Sequence, residues 1–490
     1  MIAPANRKED PAGGESPAGG GSPAGGESPP WGEFPAGGKG SRFFLATLGC
    51  KVNQYESRAL AEAWLDRGWT QAAAPEEADV LVLNTCAVTE RAAAEARSLA
   101  RRLRRASPGA LLLITGCAAE VLPGEFQALP GVTSVVGQGS KAALAGLPLA
   151  PLPSPPPRSA GREEAAPFPD FRISGYGRSR AVLKVQDGCS QGCAYCVVPL
   201  ARGPARSRSP GEILAEAGRL LEAGFREIVL SGVNLRQYRQ AGGRNGGDFW
   251  DLLALLESEL APRWAGRARL RVSSLDPGQL GGRALEALGA SRLLAPHAHL
   301  SLQSGSPSVL RRMGRGHYDP ARTEAFLEAL RACWPVFGLG ADLLAGFPGE
   351  TEAEFQETLA LCRRLPLSYA HVFPYSPRPG TAAAGFPGQI PWGEKRRRAA
   401  LLRQAALAGR RNFLRLQLAQ PGMRVIFEKG RGAEAGGGTA GEPARGRNEW
   451  YQECLLEGQD APRGELTEVR PLRLFRDALV VALAPRETKG

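Results

Sequence analysis

The stretch DGCSQGCAYC, residues Asp187–Cys196, decides how this chain is interpreted, because it places three cysteines on one short loop. Cys189, Cys193 and Cys196 form a C-x3-C-x2-C pattern directly after a predicted strand. Three thiolates on one tight loop hold three corners of a four-iron cluster and leave the fourth iron open. A structural zinc site usually takes two C-x2-C pairs or histidines, and no fourth ligand is evident nearby. The spacing therefore predicts an iron–sulfur cluster with one open coordination position.

The loop lies in a block that alternates short apolar runs with helical stretches. The candidate strands are Ala181–Gln186, Glu227–Gly232, Arg269–Ser273, His299–Gln303, Gly338–Ala345 and His371–Pro374. The candidate helices are Pro210–Ala223, Asp251–Glu259 and Thr351–Arg364. Thr351 and Glu354 form a capping-box pattern at the start of the last helix. Six such units predict a partial (β/α)6 barrel of parallel strands, with functional side chains at its carboxyl edge.

The preceding block shows the same alternation and contributes three further cysteines. Apolar runs at Phe43–Thr47, Asp79–Asn84 and Leu111–Thr115 alternate with helical stretches, which predicts an open parallel α/β sheet. Cys50, Cys86 and Cys117 each follow one of these runs within about three residues. In an open parallel sheet such loops meet in one crevice at the carboxyl edge. A second cluster is therefore predicted, and three ordinary buried thiols are the alternative.

Composition limits the classes of protein and of partner. The net charge is +12 and the pI about 9.5, which suits an anionic partner such as RNA, although many basic proteins bind none. Met1 to Gly40 contains no signal-peptide pattern, and no apolar run is long enough to span a membrane. We expect a cytoplasmic, monomeric protein without membrane contact. In that reducing compartment nine cysteines favour metal binding or catalysis over disulfides.

Changes in composition divide the chain into five parts. Residues 1–40, with the PAGGES repeat, are predicted to be a disordered leader, and Pro-rich residues 147–172 a linker. Residues 41–146 form the first cluster domain and residues 173–415 the barrel. Residues 416–490 are the tail, which contains strand-like runs at Met423–Glu428, Trp450–Leu456 and Ala478–Leu483. These runs predict a small antiparallel β-barrel.

A series of motifs in the same order resembles one known family. The motifs are TLGCKVNQYES (47–57), NTCAVT (84–89), TGC (115–117), DGCSQGCAYC (187–196), VPLARGPARSR (198–208), SSLDP (273–277), HAHLSLQSGSPSVLRRMGR (297–315), DLLAGFPGET (342–351) and FPYSPRPGTAA (373–383). Across residues 42–485 they resemble the methylthiotransferases among the radical S-adenosylmethionine enzymes. That family has an N-terminal cluster domain, a radical domain and an RNA-binding TRAM module. The stretch GCKVNQYES is similar to the branch that modifies N6-threonylcarbamoyladenosine in tRNA.

The resemblance implies an activity, cofactors and partners. The activity is conversion of N6-threonylcarbamoyladenosine at tRNA position 37 to its 2-methylthio derivative. Two [4Fe–4S] clusters are implied: the one at Cys189, Cys193 and Cys196 cleaves S-adenosylmethionine to a 5′-deoxyadenosyl radical. The other, at Cys50, Cys86 and Cys117, delivers the sulfur. The implied partners are the tRNA anticodon stem-loop, a flavodoxin- or ferredoxin-like electron donor and a sulfur donor. Phosphate contacts are expected from the tail and from a basic helix near Lys395–Arg411.

Other residues are candidates for more than one role. The candidates for contact with the cofactor are Tyr195, Gly232, Gln303, Ser304, Asp342 and Gly346. Arg202, Arg206 and Arg208 are candidates for contacts with substrate phosphate or the cofactor carboxylate, or form a solvated basic face. The four histidines are too scattered in the sequence to predict a metal site. Cys333, Cys362 and Cys454 are expected to be core thiols.

Several alternative functions remain open from the sequence. Within the family, the substrate is instead isopentenyladenosine in tRNA or a ribosomal protein side chain. From another class, an iron–sulfur RNA-binding or redox-sensing protein does no radical chemistry. The open iron position of the C-x3-C-x2-C loop argues against a sensor, which needs no vacant coordination site.

Overall fold

The structure is a computed structural model that describes residues 40–146, 168, 171–175, 178–240, 246–428, 443–457 and 460–485. The predicted leader, apart from Gly40, and most of the predicted linker lie outside these residues. The domain boundaries proposed from composition therefore stay predictions.

The first part of the chain forms the expected open α/β sheet. Its elements are β1 (Arg42–Thr47), α1 (Lys51–Leu65), β2 (Thr70–Gln71), β3 (Val80–Thr85), α2 (Glu90–Ala106), β4 (Leu111–Gly116), α3 (Cys117–Val121), α4 (Pro123–Gln127) and β5 (Ser134–Val136). All neighbours are parallel, in the order β2-β1-β3-β4-β5. Every residue of β3 is buried, because helices cover both faces of a parallel sheet.

The middle part supplies the strand–helix units of a partial barrel. Its elements are β6 (Ala181–Lys184), β7 (Gln186–Asp187), α5 (Val198–Arg202), β8 (Arg206–Ser207), α6 (Pro210–Glu222), β9 (Glu227–Ser231), α7 (Phe249–Trp264), β10 (Arg269–Val272), α8 (Gly282–Ala290), β11 (His297–Gln303), α9 (Pro307–Arg312), α10 (Pro320–Leu330), β12 (Gly338–Ala345), α11 (Glu352–Arg364), β13 (Leu367–Pro374) and α12 (Trp392–Leu418). Strands β6, β9 and β10 form one parallel sheet, and β11, β12 and β13 form another. Parallel bridges Leu270–Leu294 and Leu275–Leu300 join the two sheets. The predicted α/β architecture is confirmed.

Apolar and polar side chains alternate along the barrel strands and therefore lie on opposite faces of the sheet. In β12, Leu339, Ala341 and Leu343 belong to the hydrophobic core under the helices. The intervening positions, such as Gly340 and Asp342, face the opposite side of the sheet, because neighbouring side chains in a strand point to opposite faces. Polar residues of several strands therefore face one interior.

The tail forms a closed five-stranded barrel, as the expected fold requires. Its strands are β14 (Met423–Phe427), β15 (Ala444–Asn448), β16 (Glu453–Leu456), β17 (Thr467–Phe475) and β18 (Ala478–Leu483), in the order β14-β15-β16-β18-β17. One pair, β16 with β18, is parallel rather than antiparallel, because β17 reverses the chain between them. The helix α12 also runs past the boundary predicted at residue 415.

The first sheet and the barrel share one hydrophobic core. Phe43 and Trp64 of the first part belong to the same buried cluster as Leu183 and Leu220 of the barrel. The helix α1 is buried along most of its length between the two. Within the described residues, no helix is both long enough and apolar enough to span a bilayer.

Candidate active site

The backbone geometry of the C-x3-C-x2-C loop is fixed by contacts outside the cysteines. Gly188 has a φ of +66°, and a Cβ there would lie 2.0 Å from the Pro204 carbonyl oxygen. Only glycine fits that approach. The Cys189 N–H donates to the Gly203 carbonyl at 3.0 Å, and the Ala194 N–H donates to Met313 at 2.9 Å. The chain therefore holds the loop in place by its own hydrogen bonds.

Two side chains donate toward the sulfurs of this loop. The Asn234 amide nitrogen lies 3.6 Å from Cys189 Sγ. The Arg315 guanidinium lies 3.8 Å from Cys193 Sγ and also donates to Asp276 at 2.9 Å. Burial raises the pKa of the Cys193 thiol, and the Arg315 charge opposes this. Donors of this kind stabilise thiolate charge and tune a bound cluster.

The other three cysteines come together at the carboxyl edge of the first sheet. Cys50 precedes α1, Cys86 follows β3, and Cys117 begins α3. A Cβ on Gly49, which has a φ of +100°, would lie 2.8 Å from Cys86 Cβ, so the loops of Cys50 and Cys86 touch. Burial, together with the nearby Cys117 and Cys50, raises the pKa of the Cys86 thiol to about 11. The three thiols are therefore close enough for the charges of two of them to affect the pKa of the third.

The spacing of the sulfurs is unlike that of a zinc site. Tetrahedral zinc with Zn–S bonds of about 2.3 Å holds its sulfurs roughly 3.8 Å apart. In the part of the chain that the structure describes, no three cysteine sulfurs lie within 4.8 Å of one another. In each cysteine set at least one sulfur therefore lies farther from the others than a single zinc ion requires.

A buried ion cluster of Glu56, Lys141, Lys184, Asp187 and Arg202 joins the first sheet to the barrel. The carboxylate of Glu56 accepts from Lys141 and Lys184 at 2.7 Å each, and from Arg202 at 2.9 Å. The carboxylate of Asp187 accepts from Lys184 and Arg202 at 2.8 Å each. Three cations thus face two carboxylates, and the surplus positive charge suits a negatively charged metal–thiolate group nearby.

This arrangement corrects the roles expected for two of the three arginines. Arg202 is 3% exposed and Arg208 is 4% exposed, so neither forms a solvated face. Arg208 pairs with Glu216 at 2.7 Å, and Arg206 donates to Asp187 at 3.2 Å. The contact between the first sheet and the barrel buries this segment. Arg202 and Arg208 are therefore not free to bind phosphate, whereas the role of the half-buried Arg206 stays a prediction.

Three of the cofactor candidates surround the cysteine loop and the carboxyl edge. Tyr195 packs against the apolar group that contains Met313 and Phe347. Gly232 ends the segment after β9, where a Cβ would lie 2.9 Å from the Cβ of Gln186. Gln303 ends β11 with a φ of 62°, an unusual conformation that a functional site often contains.

The remaining cofactor candidates have different surroundings. Ser304 is fully buried, and its hydroxyl bonds the Thr358 hydroxyl at 3.0 Å, which ties β11 to α11. Gly346 has a φ of +76°, and a Cβ there would lie 2.6 Å from the Lys395 side chain. Asp342 lies apart from these, inside the barrel, where its carboxylate is 3.0 Å from His299 Nε2.

The barrel interior also contains a group of residues that sequence reasoning missed. His297, His299 and His371 line one cavity with Asp342, although the histidines are scattered in the sequence. The ligand atoms of His299, Asp342 and His371 lie within 4.8 Å of one another. Three of the histidines therefore gather in space, and the expectation that they form no metal site stays a prediction. The alternation in HAHLSLQ, which puts His297 and His299 on one face of β11, was the available signal.

Cys333, Cys362 and Cys454 stand outside both cysteine sets. Cys362 and Cys454 are buried as expected, whereas Cys333 is exposed. The expectation of a core thiol at Cys333 is wrong because the segment after α10 turns at the surface.

Comparison with family models and solved structures defines the class. Residues 42–137 match the uncharacterized protein family UPF0004, and residues 183–362 match the radical SAM superfamily. The solved structure of TsrM from Kitasatospora setae, a radical S-adenosylmethionine methyltransferase with cobalamin and a [4Fe–4S] cluster bound, shares the fold. Its TM-score is 0.52 at 16% identity, covering 70% of this chain and 77% of that one. The fold and the cysteine loop are those of a radical S-adenosylmethionine enzyme, which uses an iron–sulfur cluster.

Curated relatives identify the family more narrowly. The threonylcarbamoyladenosine tRNA methylthiotransferase MtaB of Bacillus subtilis is 36% identical, over 70% of this chain and 75% of its own length. The enzyme of the same name from Thermotoga maritima is 35% identical, covering 74% and 81%. A tRNA-2-methylthio-N(6)-dimethylallyladenosine synthase of Jannaschia sp. is 33% identical, covering 87% and 91%. The chain belongs to the methylthiotransferase family, as its motifs predicted.

Proposed function

We propose that this protein converts N6-threonylcarbamoyladenosine at position 37 of tRNA to its 2-methylthio derivative. One [4Fe–4S] cluster binds at Cys189, Cys193 and Cys196, and a second binds at Cys50, Cys86 and Cys117. The observation that supports two clusters is a buried ion cluster with surplus positive charge, in which Glu56 lies six residues after Cys50 and Asp187 lies two residues before Cys189. Such a surplus is costly to bury unless negative charge offsets it.

The chain's own residues position and shield the reacting groups. When bound, the clusters and S-adenosylmethionine supply the radical chemistry that an unreactive adenine C2–H bond requires. Asn234 and Arg315 donate toward the sulfurs of the radical loop and hold them in place. Tyr195, Gly232, Gln303, Ser304 and Gly346 position the loop and the strand ends where S-adenosylmethionine binds. The walls of the barrel exclude water from the reacting groups.

The choice of tRNA substrate rests on the relatives and on one sequence motif. Relatives named for threonylcarbamoyladenosine and relatives named for dimethylallyladenosine are about equally identical to this chain. The stretch GCKVNQYES at residues 49–57 favours the threonylcarbamoyladenosine branch. A modified base in a single-stranded loop can be turned out of its stack into a protein cavity.

The basic surface and the remaining partners complete the proposal. Arg396, Arg411 and Arg415 are exposed on α12 and supply phosphate contacts to the anticodon stem-loop, together with the tail barrel. A flavodoxin- or ferredoxin-like protein supplies electrons, and a separate donor supplies sulfur. The reaction takes place in the cytoplasm.

An anaerobic assay tests the proposed function. The protein is reconstituted with iron and sulfide, reduced with dithionite, and given S-adenosylmethionine with tRNA that carries threonylcarbamoyladenosine. We expect about eight irons per chain, as two four-iron clusters require. Nucleoside mass spectrometry should show a methylthio addition to that nucleoside and none to isopentenyladenosine in a matched tRNA. Formation of 5′-deoxyadenosine with addition only to isopentenyladenosine, or only to a ribosomal protein, would contradict the proposed substrate.

A further inference from the structure

The cavity inside the barrel is built by all three structured parts of the chain. It has a volume of about 210 Å³ and is lined by Lys51, Arg180, Val229, Arg271, Val272, Ser273, Ser274, His297, His299, Asp342, Tyr369, His371 and Tyr451. Lys51 comes from α1 of the first sheet, and Tyr451 comes from the tail barrel. Pockets for drug-sized ligands usually measure about 300–1,000 Å³, so this one suits part of a modified nucleoside.

One cation in the cavity has no ion partner. Arg271 pairs with Glu227 at 2.8 Å, and Arg180 pairs with Glu428 at 2.8 Å. The side-chain ammonium of Lys51 forms no ion pair or hydrogen bond with any residue in the described part of the chain. It is half-buried at the first position of α1, directly after Cys50. An ammonium held in such a cavity attracts an anionic group.

The positive charge of the cavity also affects the pKa of the Tyr451 phenol. Burial raises the pKa of Tyr451, yet the charges of Lys51, Arg180 and Arg447 bring it below its ordinary value. The Arg180 and Arg271 guanidinium carbons lie 5.6 Å and 5.1 Å from the centre of the Tyr451 ring. The cavity is therefore positive where the first sheet and the tail barrel meet.

Three buried polar atoms of residues that line the cavity lack partners. Nε of Arg180, the Ser273 hydroxyl and Nδ1 of His297 form no hydrogen bond within the part of the chain that the structure describes. The other ring nitrogen of His297 bonds the Tyr369 hydroxyl at 2.9 Å. Burial, with the charges of Arg271 and His299, holds the pKa of His297 well below its ordinary value, so the ring is neutral at pH 7. A ligand with its own polar groups satisfies these atoms, whereas a hydrocarbon leaves them unpaired.

The cluster of His299, Asp342 and His371 raises the question of a metal ion. Its ligand atoms lie within 4.8 Å of one another, which is close enough for a divalent cation. However, Lys51, Arg180 and Arg271 line the same cavity, with Asp342 as its single carboxylate. Because Arg180 and Arg271 are paired with glutamates, the unpaired ammonium of Lys51 is the charge that disfavours a further cation and favours an anion.

We propose that this cavity binds the threonylcarbamoyl group of the substrate and that Lys51 pairs with its carboxylate. The inference rests on the proposed function, because that group is what distinguishes the substrate. The threonyl part carries one carboxylate and one hydroxyl, which match the unpaired ammonium and the unpaired Ser273 and His297 atoms. The dimethylallyl group of the other branch has no charge and no hydrogen-bonding atom. Lys51 thus selects between the two modified adenosines.

Binding of short RNAs to the reconstituted protein tests this inference. The probes are anticodon stem-loops with adenosine, threonylcarbamoyladenosine or its methyl ester at position 37, measured by fluorescence anisotropy. We expect the protein to bind the threonylcarbamoyl RNA about tenfold tighter than the unmodified RNA, as a charged pair in a partly buried site provides. Lys51→Gln should reduce that ratio to about one to two without changing the affinity for unmodified RNA. The ester should lose the preference with the unaltered protein.

Controls separate this inference from the proposed function. Arg101→Gln removes an exposed charge of α2 and should leave the ratio unchanged. A preference retained by Lys51→Gln or by the ester, while the unaltered protein still makes the methylthio product, overturns the inference alone. Absence of that product from threonylcarbamoyl tRNA overturns the proposed function and the inference together. A metal beyond the two clusters that disappears in His371→Ala would show a metal site and likewise overturn the inference.

Discussion

The guanidinium of Arg202, six residues after Cys196, lies 2.9 Å from the carboxylate of Glu56, six residues after Cys50. Both side chains are almost completely buried. Each of the two residues is therefore close in the sequence to a different cysteine set. The pair therefore links the segment after Cys50 to the segment after Cys196.

Removal of the Glu56 charge should weaken this junction. Glu56→Gln leaves Lys184 and Arg202 with Asp187 alone and takes from Lys141 its carboxylate partner, and breaking a buried pair typically costs about 3–5 kcal/mol. We expect a loss of that order in the free energy of unfolding of the metal-free protein, measured by urea denaturation. Glu77→Gln, at an exposed pair with Arg42, should cost less than about 1 kcal/mol. Equal effects in the two variants would contradict a special role for the buried ion cluster.

Loss of a cysteine from the radical loop should abolish cofactor cleavage. Cys193→Ala removes one of three iron ligands and should lower the iron content by about four per chain. 5′-Deoxyadenosine should no longer form, while the affinity for tRNA stays the same because the basic surface is unaltered. Normal cleavage in this variant would disprove the assignment of the loop.

Loss of a cysteine from the first sheet should separate cleavage from sulfur insertion. Cys86→Ala should also lose about four irons per chain, yet it should still form 5′-deoxyadenosine and yield no methylthio product. Cys333→Ala is the matched control, because this exposed thiol lies in neither cysteine set. It should keep both iron and activity. Full product from Cys86→Ala would remove the second cluster from the mechanism.

A methyl group that displaces two residues of the cavity wall should block the substrate. Gly340→Ala places a Cβ 2.3 Å from the Tyr369 ring and 2.5 Å from His299, so the ring must move. Such overpacking costs about 1–3 kcal/mol, and we expect product formation to fall at least tenfold. Gly218→Ala, in α6, meets no atom within 4 Å and should be neutral or stabilising. Thermal unfolding separates the loss of the cavity from a loss of the fold.

The exposed face of α12 should contribute to RNA affinity without affecting selectivity. Arg411→Gln removes one exposed charge from this helix, and each lost phosphate contact lowers the salt-dependence slope by about 0.7–0.9. We expect weaker binding to modified and unmodified stem-loops by the same factor, measured from 50 to 200 mM salt. An unchanged slope would place the RNA elsewhere on the protein.

Local signals in the sequence were enough to predict the class of fold and the cysteine sets. Cys189, Cys193 and Cys196 are close in the sequence, and the capping box of Thr351 and Glu354 marked the start of α11, as the structure confirms. Cys50, Cys86 and Cys117 could be grouped because each follows a strand of one parallel sheet. Strand order in such a sheet brings these loops together without any long-range information.

Contacts between segments that are far apart in the sequence could not be predicted from the sequence alone. Arg202 reads as one of several arginines in a basic stretch, and its partner Glu56 lies 146 positions away. The burial of this pair depends on how the first sheet docks on the barrel. The histidine-lined cavity was missed for a similar reason: His299 and His371 come from strands on either side of β12. Pairing of these strands, rather than their individual patterns, puts the side chains together.

The cavity between Lys51 and Tyr451 can form only late in the synthesis of the protein. The two residues lie about 400 positions apart, yet both form its wall. At the usual translation rate of about 5–20 residues per second, the ribosome needs roughly 20–80 s to make the intervening chain. During that time the nascent protein has its cysteine loops but lacks one wall of the substrate cavity. The cavity that we propose for the substrate is therefore complete only after Tyr451 has been made, long after both cysteine sets.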